Sequence, residues 1–259
     1  MHQILIIARK EIVDSVRDFR SILASLLYAL MGPLVVGLVS MTVVKGNSSG
    51  ATVLIGMMAV FTLVSAFVGG MNVAMDTVAG ERERKSLLPL LLNAVPRERI
   101  VLGKWLAVSF FAAAGLAINV LGFVTVFALS GILPGTMDLR TLLPVALSLF
   151  SLALLAAALQ LLISTGSHAV KEAQTYLSLI VFAPMGIGMF MVFSSAARHA
   201  WLTYLPLVGQ QLQLQAFMSG RGIGLWEAVV LGYLTLALAV LALLLCTNRL
   251  RRDEILYGN

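Results

Sequence analysis

The sequence carries, without a single Asp, Glu, Lys or Arg, the run Thr141-LLPVALSLFSLALLAAALQLLISTGSHA-Val170. Five further runs share this property: Ser21–Val44, Gly46–Met75, Trp105–Met137, Ala173–Ala197 and Ala228–Asn248. Each run is at least as long as the roughly 20 residues with which a helix crosses about 30 Å of hydrocarbon. Charged residues make up only 12% of the chain, about half the share of a soluble domain. Because backbone groups in lipid must bond within their own segment, the sequence predicts an all-α polytopic membrane protein with six transmembrane helices.

The predicted transmembrane helices cover residues 22–44, 51–75, 101–130, 141–165, 174–196 and 226–248 of a single transmembrane domain, 1–259. The charges of the connecting loops indicate their orientation. With both termini in the cytoplasm, the outer side holds only four of the 18 basic residues: Lys45, Arg140, Arg198 and Arg221. Cytoplasmic loops are enriched in Lys and Arg, so we expect this orientation. The net charge of +6 then reflects topology, and no nucleic-acid partner is expected, because no basic stripe with aromatic residues occurs.

One further uncharged segment, His199–Gly220, differs from the other six. It contains Pro206 and several glutamines, and amide side chains facing lipid are costly. A seventh crossing would also place the basic C-terminal segment outside. We therefore expect residues 199–220 to form an outer re-entrant segment between the fifth and sixth helices.

The N-terminal segment, residues 1–20, alternates apolar and charged residues with approximately helical periodicity. This pattern is typical of an amphipathic helix that lies along the inner membrane surface. The alternative is a cytoplasmic extension of the first transmembrane helix.

The charged loop between the second and third helices, residues 76–100, reads Asp76-TVAGERERKSLLPLLLNAVPRER-Ile100. Acidic and basic residues precede a short leucine-rich stretch, and Pro96 suits the first turn of a new helix. A short helix of this kind cannot bury its leucines in water alone. It is suited to lipid headgroups or to a groove on a soluble partner, the alternative being an ordinary solvated loop.

Four polar residues are candidates for a translocation path because they lie in or near apolar segments: Asn72, Asn119, Gln160 and Gln210. The alternative is that they form hydrogen bonds between helices. No Asp or Glu lies in the middle of a predicted span, which argues against a carboxylate ion site in the membrane. Neither His168 nor His199 has a metal-ligand partner at a suitable spacing, so no metal site is predicted.

Three motifs occur in an order that resembles the type-2 ABC exporter permeases, especially the NatB-like branch associated with sodium extrusion. The first comprises Ala79–Arg84, the leucines at 87–92, Pro96-Arg97 and Gly103-Lys104. The second is Lys171–Tyr176, and the third is Leu205–Gln210. The resemblance covers nearly the whole chain and implies a multi-pass protein of the bacterial cytoplasmic membrane.

The resemblance implies that the permease pairs with a second permease copy, identical or paralogous, and binds two copies of a cytoplasmic ABC ATPase. The helix after the second span would be the coupling helix, about residues 77–93, seated in the ATPase. Its contacts would be Glu81, Arg82, Glu83, Arg84, Lys85, Leu87, Leu88 and Leu91. A secondary cytoplasmic contact would involve Lys171 and Glu172, where a solvated loop is the alternative.

No catalytic residue and no cofactor is predicted in this chain. A phosphate-binding Walker A loop ends in Gly-Lys-Ser/Thr, whereas Trp105 follows the single Gly-Lys pair, Gly103-Lys104. ATP and magnesium would therefore be bound by the partner ATPase. The resemblance suggests sodium as the substrate. However, many NatB-like permeases carry a large outer insert after the first helix, and this chain has only a turn, so an amphipathic drug, peptide or lipid is an alternative. An ion-coupled secondary transporter, an intramembrane enzyme and a non-transporting membrane anchor are rival interpretations.

Overall fold

The computed structural model describes residues 2–43, 48–86, 89, 95–130, 139–193, 199–221 and 223–251. The long helices are α1 His2–Arg17, α2 Phe19–Val43, α3 Ser48–Ala74, α4 Arg97–Ser130, α5 Leu139–Gly166, α6 Val170–Phe193, α7 Val208–Met218 and α8 Leu225–Leu250. Six helical stretches are long and apolar enough to cross a membrane: Ser21–Ser40, Thr52–Glu83, Arg97–Leu129, Leu142–Gly166, Val170–Phe193 and Leu225–Leu250. The predicted all-α fold with six transmembrane helices is confirmed.

The second transmembrane helix extends further than residue 75, where we predicted its end. Helical structure continues from α3 through a π-helical segment, Met75–Gly80, and a last turn, Glu81–Glu83. The charged side chains of this extension bond to neighbouring helices, so they do not require a solvated loop. Residues 87–88 and 90–94 of the predicted coupling loop lie outside the described residues.

Two other helices begin earlier than predicted. Helix α4 begins at Arg97 rather than at 101, directly after Pro96, whose carbonyl accepts a hydrogen bond from the Arg99 amide at 2.9 Å. Helix α6 begins at Val170 rather than at 174. A proline before the first turn costs no helical hydrogen bond, since the first amides of a helix have no partner within it.

Residues 199–220, predicted as the outer re-entrant segment, contain a short 3₁₀-helix, Ala200–Tyr204, followed by α7. An α-helix of 11 residues rises only about 16 Å, which is about half the thickness of the hydrocarbon core. Its placement at the outer surface as a re-entrant element stays a prediction.

Helix α1 is separate from the first transmembrane helix, since helical structure is interrupted at Asp18. One face of α1 packs against α4, and it buries Ala8 and Glu11. The approach is close at Gly103, where a methyl group would come within 2.7 Å of the Ile7 side chain. The opposite face exposes apolar residues such as Leu5 and Val16, as an interfacial helix would, although its position at the membrane surface stays a prediction.

Helices α3 and α5 form the centre of the bundle. The most apolar stretches of these two spans are 67% and 61% buried inside the bundle, against 22% for the corresponding stretches of α2 and α6. Helix α3 contacts α2, α4, α5 and α6, whereas α8 packs mainly on α5. The main core cluster includes the side chains of Leu63, Phe67 and Leu152. Helices α2 and α6 therefore leave most of their surface free for lipid or for another protein.

Close packing of α3 on α4 depends on two facing glycines. A methyl group on Gly115 would come within 2.9 Å of the Gly69 Cα atom, which belongs to the backbone and cannot yield easily. We expect Gly115→Ala to destabilise the bundle by about 1–2 kcal/mol, because overpacking forces the two helices apart. Thermal unfolding in detergent micelles would show this as a lower Tm.

Gly186→Ala is the matched control, since nothing lies within 4 Å of a methyl group at this exposed helical position. It should leave the Tm unchanged or raise it slightly, because alanine favours helix over glycine by up to about 1 kcal/mol. Equal Tm values for the two variants would contradict the packing role of Gly115.

Candidate functional site

A buried lysine joins three elements at one end of the bundle. Lys104, near the start of α4, donates from its Nζ atom to Glu11 Oε1 at 2.9 Å, to Glu81 Oε2 at 2.8 Å and to the Thr77 carbonyl at 2.6 Å. Its side chain is only 1% exposed, and those of Glu11 and Glu81 are 7% and 9% exposed. An ammonium group has three donors, so every one of them has an acceptor. Lys104 thus connects α1, the extension of α3 and α4.

A second cation closes this cluster toward solvent. Lys10 Nζ lies 3.3 Å from Glu11 Oε1 and 3.3 Å from Glu81 Oε1. Burial lowers the pKa of Lys10, but attraction to Glu11 and Glu81 outweighs this effect and leaves its pKa raised above 10.5. The stabilisation from Lys10 is therefore present at all pH values below 10.5 and is lost only as the pH rises through the raised value. Two lysines balance two glutamates, so the buried part carries no uncompensated charge.

The π-helical segment brings these acceptors into place. Thr77, whose carbonyl accepts from Lys104, lies inside it, and Glu81 follows its last residue, Gly80. A methyl group on Gly80 would come within 2.5 Å of Asp76 Oδ1, and Arg84 Nη1 pairs with the same carboxylate oxygen at 2.9 Å. The surface ion pair of Asp76 and Arg84 can thus close over the helix only because residue 80 has no side chain. π-Helical turns are rare and are frequent at functional sites.

The next side chain binds the end of α5. Arg82 donates from Nη1 to the Ser167 carbonyl at 2.6 Å and from Nη2 to the Thr165 carbonyl at 3.0 Å. The last carbonyls of a helix have no partner within it and carry partial negative charge. A positively charged guanidinium group is therefore a suitable hydrogen-bond donor to them. The Ala79 amide also donates to Ser164 Oγ at 3.2 Å. The extension of α3 is therefore fixed to the end of α5.

The third side chain binds the start of α6. Glu83 Oε2 accepts a hydrogen bond from the Val170 amide at 2.9 Å. Carboxylates are favourable at helix N-termini, where amides lack partners. Glu172 does the same from within the helix, since its Oε2 accepts from the His168 amide at 2.7 Å. We call the set Lys10, Glu11, Thr77, Glu81, Arg82, Glu83 and Lys104 the charged junction.

The predicted coupling residues fall into three groups. Glu81, Arg82 and Glu83 belong to the charged junction, whereas Arg84 and Lys85 are exposed at the turn that follows it. Lys85 has a φ of 58°, a left-handed conformation that ends helices. Leu87, Leu88 and Leu91 lie outside the described residues. Lys171 is exposed and Glu172 is partly buried. A contact of any of these residues with an ATPase stays a prediction.

Sequence reasoning missed Glu11 and Lys104 as members of this site. One signal was available: Lys104 is an isolated charge between Ile100-Val-Leu-Gly103 and Trp105-Leu-Ala-Val108. An isolated charge inside an apolar stretch is rare and generally has a specific partner. The sequence did not indicate which acid this partner would be.

The four polar residues proposed for a translocation path lie at separate helix contacts. Asn119 Nδ2 donates to the Ala29 carbonyl at 2.8 Å, Asn72 Nδ2 to Ser25 Oγ at 3.3 Å, Gln160 Nε2 to the Phe67 carbonyl, and Gln210 Nε2 to Thr235 Oγ1 at 2.9 Å. Each bond joins two helices, as interhelical amides often do in membranes. Their role in a path stays a prediction.

Two glutamines of α7 are also buried. Gln211 Nε2 donates to the Gly188 carbonyl at 2.8 Å, whereas both amide atoms of Gln213 lack a hydrogen-bond partner among the described residues. Gln210 additionally accepts from the Leu207 amide at 2.6 Å and so caps α7. Within the ranges that the structure describes, no group of three His, Cys, Asp or Glu residues is placed to hold a metal ion.

Comparison with known proteins identifies the family. The model of the ABC-2 family transporter protein matches residues 5–254. The chain is also 39% identical over 171 residues to the ABC transporter permease protein NatB of Bacillus subtilis (strain 168). This match covers 62% of the chain but only 42% of the relative, so the chain spans less than half of that protein's length in the match. The chain belongs to the ABC-2 transporter family, as a multi-pass membrane permease.

Proposed function

We propose that this permease is the membrane subunit of an ATP-driven exporter and that a separate cytoplasmic ABC ATPase supplies the energy. The permease would act with a second permease copy, identical or paralogous, and with two ATPase copies, which would bind ATP and magnesium. The family assignment supports this proposal. Both termini would lie in the cytoplasm of a bacterial cell, because the charged junction and most basic residues are at the same end of the bundle.

The coupling role is supported chiefly by one observation: three consecutive side chains, Glu81, Arg82 and Glu83, bond to different helices. Glu81 binds α1 and α4 through Lys104, Arg82 binds the end of α5, and Glu83 binds the start of α6. A push on the turn at Arg84–Lys85 would therefore reach four helices at once. In this proposal the charged junction transmits force, and the exposed Arg84 and Lys85 contribute to the surface that meets the ATPase.

The substrate would be sodium or an amphipathic drug, peptide or lipid. The absence of a three-ligand acidic, His or Cys cluster from the described residues leaves amide and carbonyl oxygens as the groups that could coordinate an ion in the membrane. Helices α2 and α6, which are the least buried spans, would offer the surfaces for the second permease copy.

Co-purification with a candidate cytoplasmic ABC ATPase of the same organism tests the proposal. The test variant is Arg84→Gln/Lys85→Asn, which removes two exposed charges while asparagine tolerates the left-handed backbone of residue 85. At up to about 1 kcal/mol per exposed charge contact, we expect roughly a five- to twentyfold weaker complex and a matching loss of ATPase stimulation. The control Arg221→Gln removes an exposed charge beyond the end of α7 and should change neither quantity. Unchanged complex formation in the double variant would refute the contact surface.

A further inference from the structure

A shallow cavity of about 480 Å³, broadly open to the surroundings, lies between α5, α6 and α8 at the end of the bundle that carries the charged junction. Its lining residues are Ile163, Gly166, Tyr176, Leu179, Ile180 and Arg249. Three of them are aliphatic, and two, Tyr176 and Arg249, carry polar groups that donate hydrogen bonds. The cavity is therefore amphipathic: most of its wall is apolar, and one guanidinium group and one phenol lie at it.

The guanidinium group of Arg249 is exposed at this cavity and has donors without a partner among the described residues. A methyl group on Gly166 would come within 2.6 Å of Arg249 Nη1, so the missing side chain at residue 166 makes room for the arginine. Its one hydrogen bond among the described residues is a long one, from Nη1 to the Leu162 carbonyl at 3.4 Å. A guanidinium group has five donors. Most of its capacity to bind an anion is therefore unused.

Neighbouring arginines at this end of the bundle have stronger partners. Arg251 forms an ion pair with Glu98, Arg97 donates to the Leu250 carbonyl at 2.9 Å, and Arg82 binds two carbonyls of the α5 end. The nearest acid on α6, Glu172, lies one turn before Tyr176, but its Oε2 accepts from the His168 amide. Among the described residues, the exposed Arg249 thus provides positive charge at an apolar cavity without an acidic partner of its own.

We propose that this cavity binds an anionic phospholipid of the adjacent leaflet. The phosphate would accept hydrogen bonds from Arg249 and from the Tyr176 hydroxyl, and an acyl chain would lie along Ile163, Leu179 and Ile180. Basic pockets between helices at the membrane surface bind anionic headgroups in this way. The aliphatic walls favour a lipid over a free phosphate ion, since burial of an acyl chain contributes about 0.8 kcal/mol per methylene group. The assignment of this lipid to the cytoplasmic leaflet rests on the orientation given in the proposed function, whereas the site itself does not.

Lipid retention by the full-length permease tests this site. The purified protein would be equilibrated in nanodiscs containing equal amounts of phosphatidylglycerol and phosphatidylcholine, and bound lipid would be counted by native mass spectrometry. Both faces of a nanodisc are accessible, so the result does not depend on membrane orientation or on the ATPase. We expect wild type to retain phosphatidylglycerol preferentially. Arg249→Gln should retain about fivefold less, in line with the contribution of one basic residue near the membrane surface.

Arg251→Gln is the matched control, because it removes the same charge two residues away on a side chain paired with Glu98; its retention should equal that of wild type. Leu179→Trp provides a second test with Arg249 intact. Leu179 is 61% exposed, so its replacement should spare the fold but fill the cavity and displace the lipid. The proposal would be overturned if Arg249→Gln and Arg251→Gln lost lipid equally, or if Leu179→Trp retained as much lipid as wild type. It would also be overturned if wild type retained phosphatidylcholine and phosphatidylglycerol equally, or if glycerol 3-phosphate displaced the bound lipid as effectively as added lipid does.

Discussion

Lys104→Met should destabilise the permease by about 3–5 kcal/mol, the usual cost of removing one partner from a buried ion pair. The variant would leave Glu11 and Glu81 buried, close together and with only the half-exposed Lys10 to neutralise them. It would also leave the Thr77 carbonyl without the donor that it has in wild type. The Tm in detergent micelles and the midpoint of unfolding in SDS–detergent mixtures would both fall.

Two further variants distinguish the buried charge from the side chain itself. Lys10→Met removes a cation from the same cluster, but this side chain is 56% exposed, so the loss should be within about 1 kcal/mol. The triple variant Lys104→Met/Glu11→Gln/Glu81→Gln removes the buried charges together and should recover most of the lost stability. If Lys104→Met and Lys10→Met lowered the free energy of unfolding equally, the buried ion pairs of Lys104 would stabilise the protein no more than the exposed pairs of Lys10. The triple variant should nevertheless respond poorly to the ATPase if the charged junction transmits force.

Arg82→Ala should cost about 2–4 kcal/mol and uncouple the extension of α3 from the end of α5. The variant removes two hydrogen bonds from a charged group, to the Ser167 and Thr165 carbonyls. Bonds of this kind contribute about 1.5–3 kcal/mol each, and the contribution is smaller here because Arg82 is only partly buried. Arg82→Lys should recover only part of this, because an ammonium group lacks the planar fork that reaches both carbonyls. Hydrogen exchange at the amides of residues 164–170 would increase in both variants.

Arg84→Ala is the appropriate comparison, since Arg84 lies two residues further on the same segment. Its ion pair with Asp76 joins side chains that are 59% and 62% exposed, and exposed pairs contribute little. Stability and hydrogen exchange should hardly change in this variant. A loss for Arg84→Ala as large as that for Arg82→Ala would show that the end of α5 is not where Arg82 acts.

The membrane-spanning architecture could be predicted because it depends on run length and local charge. A run such as Thr141–Val170 can be recognised as a helix from local sequence alone, because its backbone groups bond within the helix and its side chains need no particular partner. The earlier start of α4 follows from a local rule as well, since Pro96 precedes the first helical residue. Helix existence was therefore accessible from the sequence. The starts of α4 and α6 were accessible to within about one turn, but the end of the second transmembrane helix was not, since it continues to Glu83.

The charged junction could not be predicted because its contacts join residues far apart in sequence. Lys104 and Glu11 are separated by 93 positions, and Arg82 and Ser167 by 85. From sequence, Gly80–Lys85 has the composition of a solvated loop. The structure instead continues the helix, because neighbouring helices provide partners for Glu81, Arg82 and Glu83. Tertiary partners thus outweighed the local preference for water, and sequence periodicity contains no information on such partners.

The saturation of Lys104 has a consequence for how the bundle can move. Its three donors are taken up by Glu11 of α1 and by Glu81 and the Thr77 carbonyl of the α3 extension. Withdrawing either element would therefore leave a charge without its partner and away from water. Such a step is costly, whereas displacement of α1, α4 and the extension of α3 together preserves all three of these bonds. Movement of this part of the bundle as a rigid body is consequently favoured over separation of its elements one by one. The parts of the molecule that deform in a transport cycle should include α2, one of the two least buried spans.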